Sequence, residues 1–337
     1  MRASFKFFDL ELKHTFSIAK FSRTSTPIVL VEVSDQGFTG LGEGSMVPYM
    51  GENPETASQF FSKIDWTQIK YPFNFDEIHN YLDFLDTGNS AVKAAIDIAL
   101  HDLKGKIEHS PCYKMFGADP SLMPVTSYTI GIDTPEITRE KLKAAEGFKV
   151  IKVKLGRDND EELIRTIRET CSLPLYVDAN QGWNDRKKAI DKIYWLHDQG
   201  VQLIEQPMDK MDLDGNAWLT ERSPIPILAD EAVQRIENLE HIKGAYHGIN
   251  VKLMKSAGLH EGYKMIQKAK EFKMRVLIGC MSETSCATLA GMALAPLCDW
   301  ADLDGPALTK NNPFKDPDFQ NGKWVLTNAS GLGLESK

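Results

Sequence analysis

One regularity limits what this chain can fold into more than any other. Lys154, Asp178, Glu205, Asp230, Lys252, Gly279 and Asp302 follow one another at spacings of 24, 27, 25, 22, 27 and 23 residues. Each closes a short β-rich run, and each run is followed by a polar-apolar segment of helix length. A repeat of this size is one strand, one helix and their turns, and a succession of such units builds a parallel sheet covered by helices. The runs lie at residues 125–130, 150–155, 175–178, 203–205, 227–230, 248–251, 275–278 and 301–303. Eight units close into a TIM-type (β/α)7β barrel, an α/β fold whose site lies at the C-terminal ends of its strands.

The remaining residues read as an appendage. Residues 4–8, 28–33 and 38–42 look extended, with a turn at 34–37 joining the last two as a hairpin. Residues 90–107 carry Val92, Ala95, Ile96, Ala99, Leu100 and Leu103 at helical spacing, with Ser90 placed as an N-cap. We therefore expect an α+β capping domain over residues 1–123, the barrel over 124–304, and a segment 305–337 that returns to the cap with a strand near 323–327. Hydrophobic residues make up 42% of the 337-residue chain and charged residues 26%, enough apolar surface for a sizeable core. The net charge of -8 lacks the basic stripe that nucleic acid or an anionic membrane needs. Five cysteines without CxxC spacing argue against a disulfide framework or zinc knuckle. No apolar run approaches the roughly 18 residues of a membrane span, and charge at Asp9 and Glu11 interrupts any signal-like stretch. The expectation is a cytoplasmic protein, with homo-oligomer formation left open.

Chemistry is concentrated at the strand ends. Side chains at i and i+2 of a strand share a face. In residues 150–155 that rule sets Ile151, Val153 and Leu155 toward the helices, and Val150, Lys152 and Lys154 toward the barrel interior. Lysines are mostly exposed, so two on a central parallel strand need a reason. The next three strands supply one. They end in Asp178, with Asn180 on its face, in Glu205 and in Asp230. Three carboxylates without His or Cys suit a hard cation, Mg²⁺ before Ca²⁺ or Zn²⁺. Lys252 on the sixth strand faces Lys152 and Lys154 across the mouth. A carboxylate substrate held on the metal would then present its α-carbon between two amines. Metal and a non-basic lysine would stabilise the enediolate, while neighbouring cations and burial would lower the pKa of a lysine acting as base.

The motifs Lys-Val-Lys (152–154), Val-Asp-Ala-Asn (177–180), Ile-Glu-Gln-Pro (204–207), Ala-Asp-Glu (229–231) and Asn-Val-Lys-Leu-Met-Lys (250–255) resemble, in this order, the muconate-lactonizing-enzyme subgroup of the enolase superfamily. The resemblance runs over nearly the whole chain. That superfamily pairs a Lys or His base with Mg²⁺. The resemblance implies one Mg²⁺ per subunit on Asp178, Glu205 and Asp230. It implies Lys154 and Lys252 as the two acid/base residues, and Lys152 against the metal-bound carboxylate. Asp302 and Asp304 are similar to the DxD signature of dipeptide epimerases, where the pair binds the ammonium of the substrate's first residue. From strand eight they should sit away from the metal.

The expected activity is therefore 1,1-proton transfer at the α-carbon of the C-terminal residue of Ala-Xaa dipeptides. The loop 16–23 resembles the specificity loop of these enzymes. Phe21 occupies the place where members acting on Ala-Glu carry a basic residue, with Lys20 and Arg23 adjacent, so Xaa is expected to be hydrophobic or Glu. Asn180 and Ser282 are expected to line the pocket, whereas Cys280 and His101 are read as non-catalytic. Two other readings remain. One is an o-succinylbenzoate synthase or cycloisomerase, which has no ammonium for Asp302 and Asp304 to bind. The other is a non-catalytic dipeptide-binding protein.

Overall fold

A computed structural model describes residues 1–19 and 21–337. The chain begins with a three-stranded antiparallel sheet, β1 (Arg2–Ser17), β2 (Ser22–Asp35) and β3 (Phe38–Ser45), in that order. Gln36 and Gly37 both have positive φ, as a two-residue hairpin with the right twist requires. The first two strands run well beyond the expected residues 4–8 and 28–33. Pairing from Arg2↔Ser34 to Ser17↔Ser22 carries polar residues into the ladder that no alternation could reveal.

The helices α1 (Pro54–Ser62), α2 (Phe75–Leu85) and α3 (Ser90–Ile107) follow, then a single helical turn at Cys112–Met115. Helix α3 lies directly on β3, and its sequence explains how. Gly40, Gly42 and Gly44 share one face of β3, opposite Ala99, Ala95 and Ala91 of α3. A Cβ at Gly42 would sit 1.9 Å from the Ala95 carbonyl oxygen, so only glycine permits this backbone-to-backbone contact. Ser90 is not the N-cap. Asn89 takes that place with φ of 58° and no capping hydrogen bond, and Ser90 Oγ donates instead to Glu52. The Glu52 carboxylate also accepts the Ala91 N–H at 3.1 Å, so the helix end is satisfied from 39 residues away.

Eight parallel strands then form the barrel: β4 (Ser127–Ile130), β5 (Val150–Lys154), β6 (Leu175–Asp178), β7 (Val201–Glu205), β8 (Ile227–Ala229), β9 (Gly248–Lys252), β10 (Arg275–Gly279) and β11 (Trp300–Asp302). A parallel bridge from Thr126 to Ala301 brings the last strand back to the first. Side-chain alternation divides the barrel as the sequence predicts. Ile151, Val153 and Leu155 join the large outer core, and Val150, Tyr176, Leu203, Leu228 and Leu277 form a separate apolar cluster inside. After Val150, Tyr176, Leu203 and Leu228 the next inward positions are Lys152, Asp178, Glu205 and Asp230, which sets the charged layer at the C-terminal ends, while β10 leaves space there with Gly279.

The cap docks by supplying carboxylates to barrel helices. Glu43 of β3 accepts N–H groups of Thr284 and Ala287 at the start of helix Ser285–Leu294. Asp97 of α3 accepts the N–H of Leu259 at the start of helix Leu259–Glu271. Both satisfy donors that a helix N-terminus leaves open, and both place negative charge at the positive end of the dipole. The final segment touches cap and barrel alike. Lys310 N–H donates to Glu11 O, Cys112 N–H to Gly331 O, and Trp324 Nε1 to Leu303 O. Its strand content is smaller than the expected 323–327, a hairpin of Phe319–Gln320 with Lys323–Trp324. Among the described residues no helix is long and apolar enough to cross a membrane.

Candidate active site

A cavity of about 470 Å³ opens where the cap meets the C-terminal ends of the barrel strands. The cap contributes Phe16, Ile18, Phe21, Arg23 and Tyr49 to its wall. The barrel contributes Lys154, Asp230 and Lys252, then Asn180, Ser282, Asp302 and Asp304. Lys152, Asp178 and Glu205 lie in the layer beneath, each no more than 1% exposed. Every residue singled out in the sequence for the site thus falls in one region. Lys20 lies outside the described residues.

The charged layer is ordered by ion pairs. Oxygen atoms of Asp178, Glu205 and Asp230 approach within 4.8 Å of one another, a grouping that could hold a metal ion. Lys154 Nζ lies 2.6 Å from Asp178 Oδ2, and Lys252 Nζ 2.7 Å from Asp230 Oδ2. Lys152 Nζ lies 2.6 Å from both Glu205 Oε1 and Asp302 Oδ2. Among the described residues Glu205 Oε1 makes no directed hydrogen bond despite this contact, leaving a buried carboxylate oxygen aimed into the group. An oxygen-only set with such an orphan fits a hard divalent cation. The structure also revises the expectation for β11. Its first acid is not apart from the cluster, because the lysine stem spans the barrel interior and carries the Lys152 ammonium to Asp302. Asp302 Oδ1 further accepts from Ser127 Oγ at 2.7 Å, and Asp304 Oδ2 from Thr129 N–H at 2.6 Å.

Burial dominates the electrostatics. It disfavours the charge on Lys152 and Lys252, yet the surrounding acids together outweigh it, Asp302, Glu205 and Asp178 at the first and chiefly Asp230 with Glu205 at the second, and hold both well above the usual lysine range. The lowered pKa expected for a cluster of cations is not what the side chains produce, because the nearest neighbours of these amines are carboxylates. Burial and Asp302 push Asp304 up to about 7, and burial and Asp230 push Glu231 to about 7.

Several participants were not found from the sequence. Lys255 is 1% exposed and donates to Asp230 Oδ1, Asp230 O and Asn250 O. It stands within the motif at 250–255, but as an odd-numbered residue it would point outward if β9 continued. The strand stops at Lys252, and one turn, with Lys255 N–H on Lys252 O, swings it back inward. Asn250 Nδ2 donates to Glu205 Oε2 at 2.7 Å, and Glu231 Oε1 accepts from Asn180 Nδ2 at 3.3 Å. Arg23 lines the cavity beside Phe21. Its Nη2 donates to Ser282 Oγ at 2.8 Å, while its buried Nε and Nη1 have no partner among the described residues. The rings of Phe16 and Phe21 flank the guanidinium at 5.6 and 5.8 Å.

Comparison with known proteins gives concordant matches. Residues 4–117 match the family described as mandelate racemase / muconate lactonizing enzyme, N-terminal domain, and residues 137–337 match the enolase C-terminal domain-like family. An L-Ala-D/L-Glu epimerase of Bacteroides thetaiotaomicron is 48% identical over 335 residues, covering 99% of this chain and 88% of the relative. The crystal structure of a dipeptide epimerase from Enterococcus faecalis complexed with Mg and L-Leu-L-Tyr superposes with a TM-score of 0.91 at 31% identity, covering 99% of this chain and 98% of that one. A substrate-liganded L-Ala-D/L-Glu epimerase from Bacillus subtilis superposes with a TM-score of 0.88 at 26% identity, covering 99% and 98%. With both halves matched and a closed barrel carrying its acids and lysines at the strand ends, the chain belongs to the mandelate racemase/muconate lactonizing enzyme family of the enolase superfamily.

Proposed function

We propose that the protein is an Mg²⁺-dependent dipeptide epimerase that inverts the α-carbon of the second residue of Ala-Xaa dipeptides, with Glu as the preferred Xaa. Asp178, Glu205 and Asp230 would hold the ion, which when bound supplies positive charge to the oxygens of the substrate carboxylate. Lys154 and Lys252 stand on strands separated by the three acid-bearing ones, so their amines approach the α-carbon from different sides. One amine takes the α-proton and the other returns a proton to the opposite face. Lys152 adds a fixed positive charge beneath the carboxylate, where negative charge develops as the proton leaves. The carboxylates of Asp302 and Asp304 receive the ammonium of the first residue.

The observation that carries the choice of Glu is Arg23, an arginine whose buried Nε and Nη1 have no partner among the described residues and which lines the cavity. Burial lowers its pKa to about 10, so it remains a cation at neutral pH. A desolvated guanidinium with free N–H groups selects a carboxylate, which it can bind through two parallel hydrogen bonds. A hydrophobic Xaa is the second reading, favoured by Phe16, Ile18 and Phe21 on the same wall. Incubation of L-Ala-L-Glu and L-Ala-L-Leu in deuterated water with Mg²⁺ separates the two, followed by loss of the second residue's α-proton signal. Faster exchange of Ala-Glu is expected. Faster exchange of Ala-Leu would reverse the preference, and no exchange with any dipeptide would refute the activity.

A further inference from the structure

The two oxygens of each acid in the Asp178, Glu205 and Asp230 group stand in different circumstances. One is held by a donor of the rigid frame. Asp178 Oδ1 accepts the backbone N–H of Asn180 at 2.9 Å, Glu205 Oε2 accepts Nδ2–H of Asn250 at 2.7 Å, and Asp230 Oδ1 accepts from Lys255 at 2.6 Å. The other faces long lysines: Asp178 Oδ2 meets Lys154 at 2.6 Å and Lys152 at 3.8 Å, Glu205 Oε1 meets Lys152, and Asp230 Oδ2 meets Lys252.

The framing donors are built in. All three ammonium protons of Lys255 are engaged, and it has no surface on the cavity. The ladder between β8 and β9 ends with Ala229↔Ile249. Immediately beyond it, Lys255 ties the Asp230 carbonyl to the Asn250 carbonyl and so replaces the missing ladder bond. Asn250 is fully buried, with Gly279 packed so closely that a Cβ there would lie 2.5 Å from Asn250 Oδ1. Neither donor can swing away without disturbing the strand ends.

We infer that Asn250 and Lys255 determine which divalent cation this site accepts, by leaving Glu205 and Asp230 one usable oxygen each. Ca²⁺ takes six to eight oxygens and often binds a carboxylate through both, whereas Mg²⁺ is content with six ligands and single carboxylate oxygens. Three carboxylates that each offer one oxygen suit Mg²⁺ and leave Ca²⁺ short of ligands. The inference rests on the proposed reading that these acids hold a divalent cation.

The test is calorimetric titration of the metal-free protein with Mg²⁺ and separately with Ca²⁺, in the wild type, Asn250→Leu and Lys255→Met. The wild type should bind Mg²⁺ at least about tenfold more tightly than Ca²⁺. In either variant the ratio of the Ca²⁺ to the Mg²⁺ dissociation constant should fall at least about fivefold, because a second carboxylate oxygen becomes available. Simple loosening of the site would weaken both ions together and leave the ratio within about twofold, which overturns the inference. Should Lys255→Met fail to fold, Asn250→Leu decides alone, since it removes no charge. A wild type that binds both ions equally overturns the selectivity and leaves the metal site standing. One that binds neither overturns the metal site and the selectivity with it.

Discussion

Replacing Arg23 with methionine isolates the proposed contact between the cap and the substrate side chain. Methionine keeps much of the stem volume and its packing between Phe16 and Phe21, but removes the charge and the free N–H groups. Truncating one partner of a buried charge pair costs about 2–5 kcal/mol, much of it from the partner left unpaired. The substrate side chain would lie in a cavity that opens to solvent between cap and barrel, so the lower part of that range applies. A loss of about 2–3 kcal/mol corresponds to a fall of about 30- to 150-fold in kcat/KM for L-Ala-L-Glu. L-Ala-L-Leu meets the reverse change, because its side chain no longer has to lie against a desolvated cation that it cannot bind. Its kcat/KM should hold or rise, so the discrimination between the two dipeptides changes by about two orders of magnitude. The assay is a competition of both dipeptides in deuterated water, where relative rates of α-proton loss report the kcat/KM ratio directly. Arg23→Lys should fall between the two, retaining charge without the fork. A ratio that moves less than about threefold, or an equal loss for both dipeptides, would refute a side-chain contact and make Arg23 a packing residue.

Three further outcomes follow from the same geometry. Lys154→Met and Lys252→Met should each abolish epimerisation while preserving α-deuterium exchange for one configuration of the second residue, and a different one in each variant; identical losses for L-Ala-L-Glu and L-Ala-D-Glu would contradict two bases on opposite faces. The free-enzyme kcat/KM should fall as pH drops below about 7, since Asp304 must be an anion to receive an ammonium and is pushed to about 7 by burial and Asp302; Asp304→Asn should lower the rate and flatten that part of the profile. Asp97→Asn should lower the melting temperature, as it removes a buried carboxylate that accepts from His79 and Leu259, a loss of about 3–5 kcal/mol for a broken buried pair. Although burial opposes it, the pull of His101 and His79 sets Asp97 well below the usual carboxylate range, so its contribution is full above the unfolded carboxylate pKa, about 4, and fades as pH falls below it. The gap between wild type and variant should therefore narrow in acid, and a gap independent of pH would exclude the charge as its source.

The barrel was legible because a parallel strand buried on both faces writes its inward residues in plain alternation. All eight strands fall where the cadence places them, with ends displaced by at most two residues. The acids and lysines were visible for the same reason, since polar residues at inward positions break an otherwise apolar pattern. What stayed hidden depends on contacts between distant segments. Ser90 has the local form of an N-cap, but Glu52 satisfies that helix end from outside the window any capping rule inspects. The length of β1 comes from pairing with β2 and not from its own alternation. Lys255 escaped because its inward position follows from where β9 ends, and Arg23 was noted only as a neighbour of Phe21 because its contact with Ser282 joins segments 259 residues apart. The raised pKa of Lys152 and Lys252 was hidden for a related reason: sequence order shows lysines spaced among one another, whereas the fold puts these two amines against acids of other strands.

That pairing also explains how so much charge is buried at all. An isolated ammonium or carboxylate at this depth would cost several kcal/mol, and the charged layer survives only if each charge is met. Lys152, Lys154, Lys252 and Lys255 meet Glu205, Asp178, Asp230 and Asp302 through contacts of 2.6–2.7 Å, four cations against four anions. The arrangement divides labour by reach. Lys255 is fixed in the frame, with every proton spent on Asp230 and two strand-end carbonyls. Lys154 and Lys252 border the cavity, each facing a carboxylate oxygen that also points into the acid group. The proposed discrimination lies elsewhere, at the start of β2, where Arg23 is held by Ser282. The backbone of that barrel loop is in turn anchored to the cap, through Ser45 Oγ on Ser282 O and Glu43 on Thr284. The proposed proton-transfer groups and side-chain selection meet at Phe16, whose ring lies 5.9 Å from Lys154 Nζ, so substitutions at Arg23, whose hydrogen bond goes to Ser282 and not to any of the four lysines, should alter the preferred dipeptide with less effect on the charges below than substitutions at Phe16.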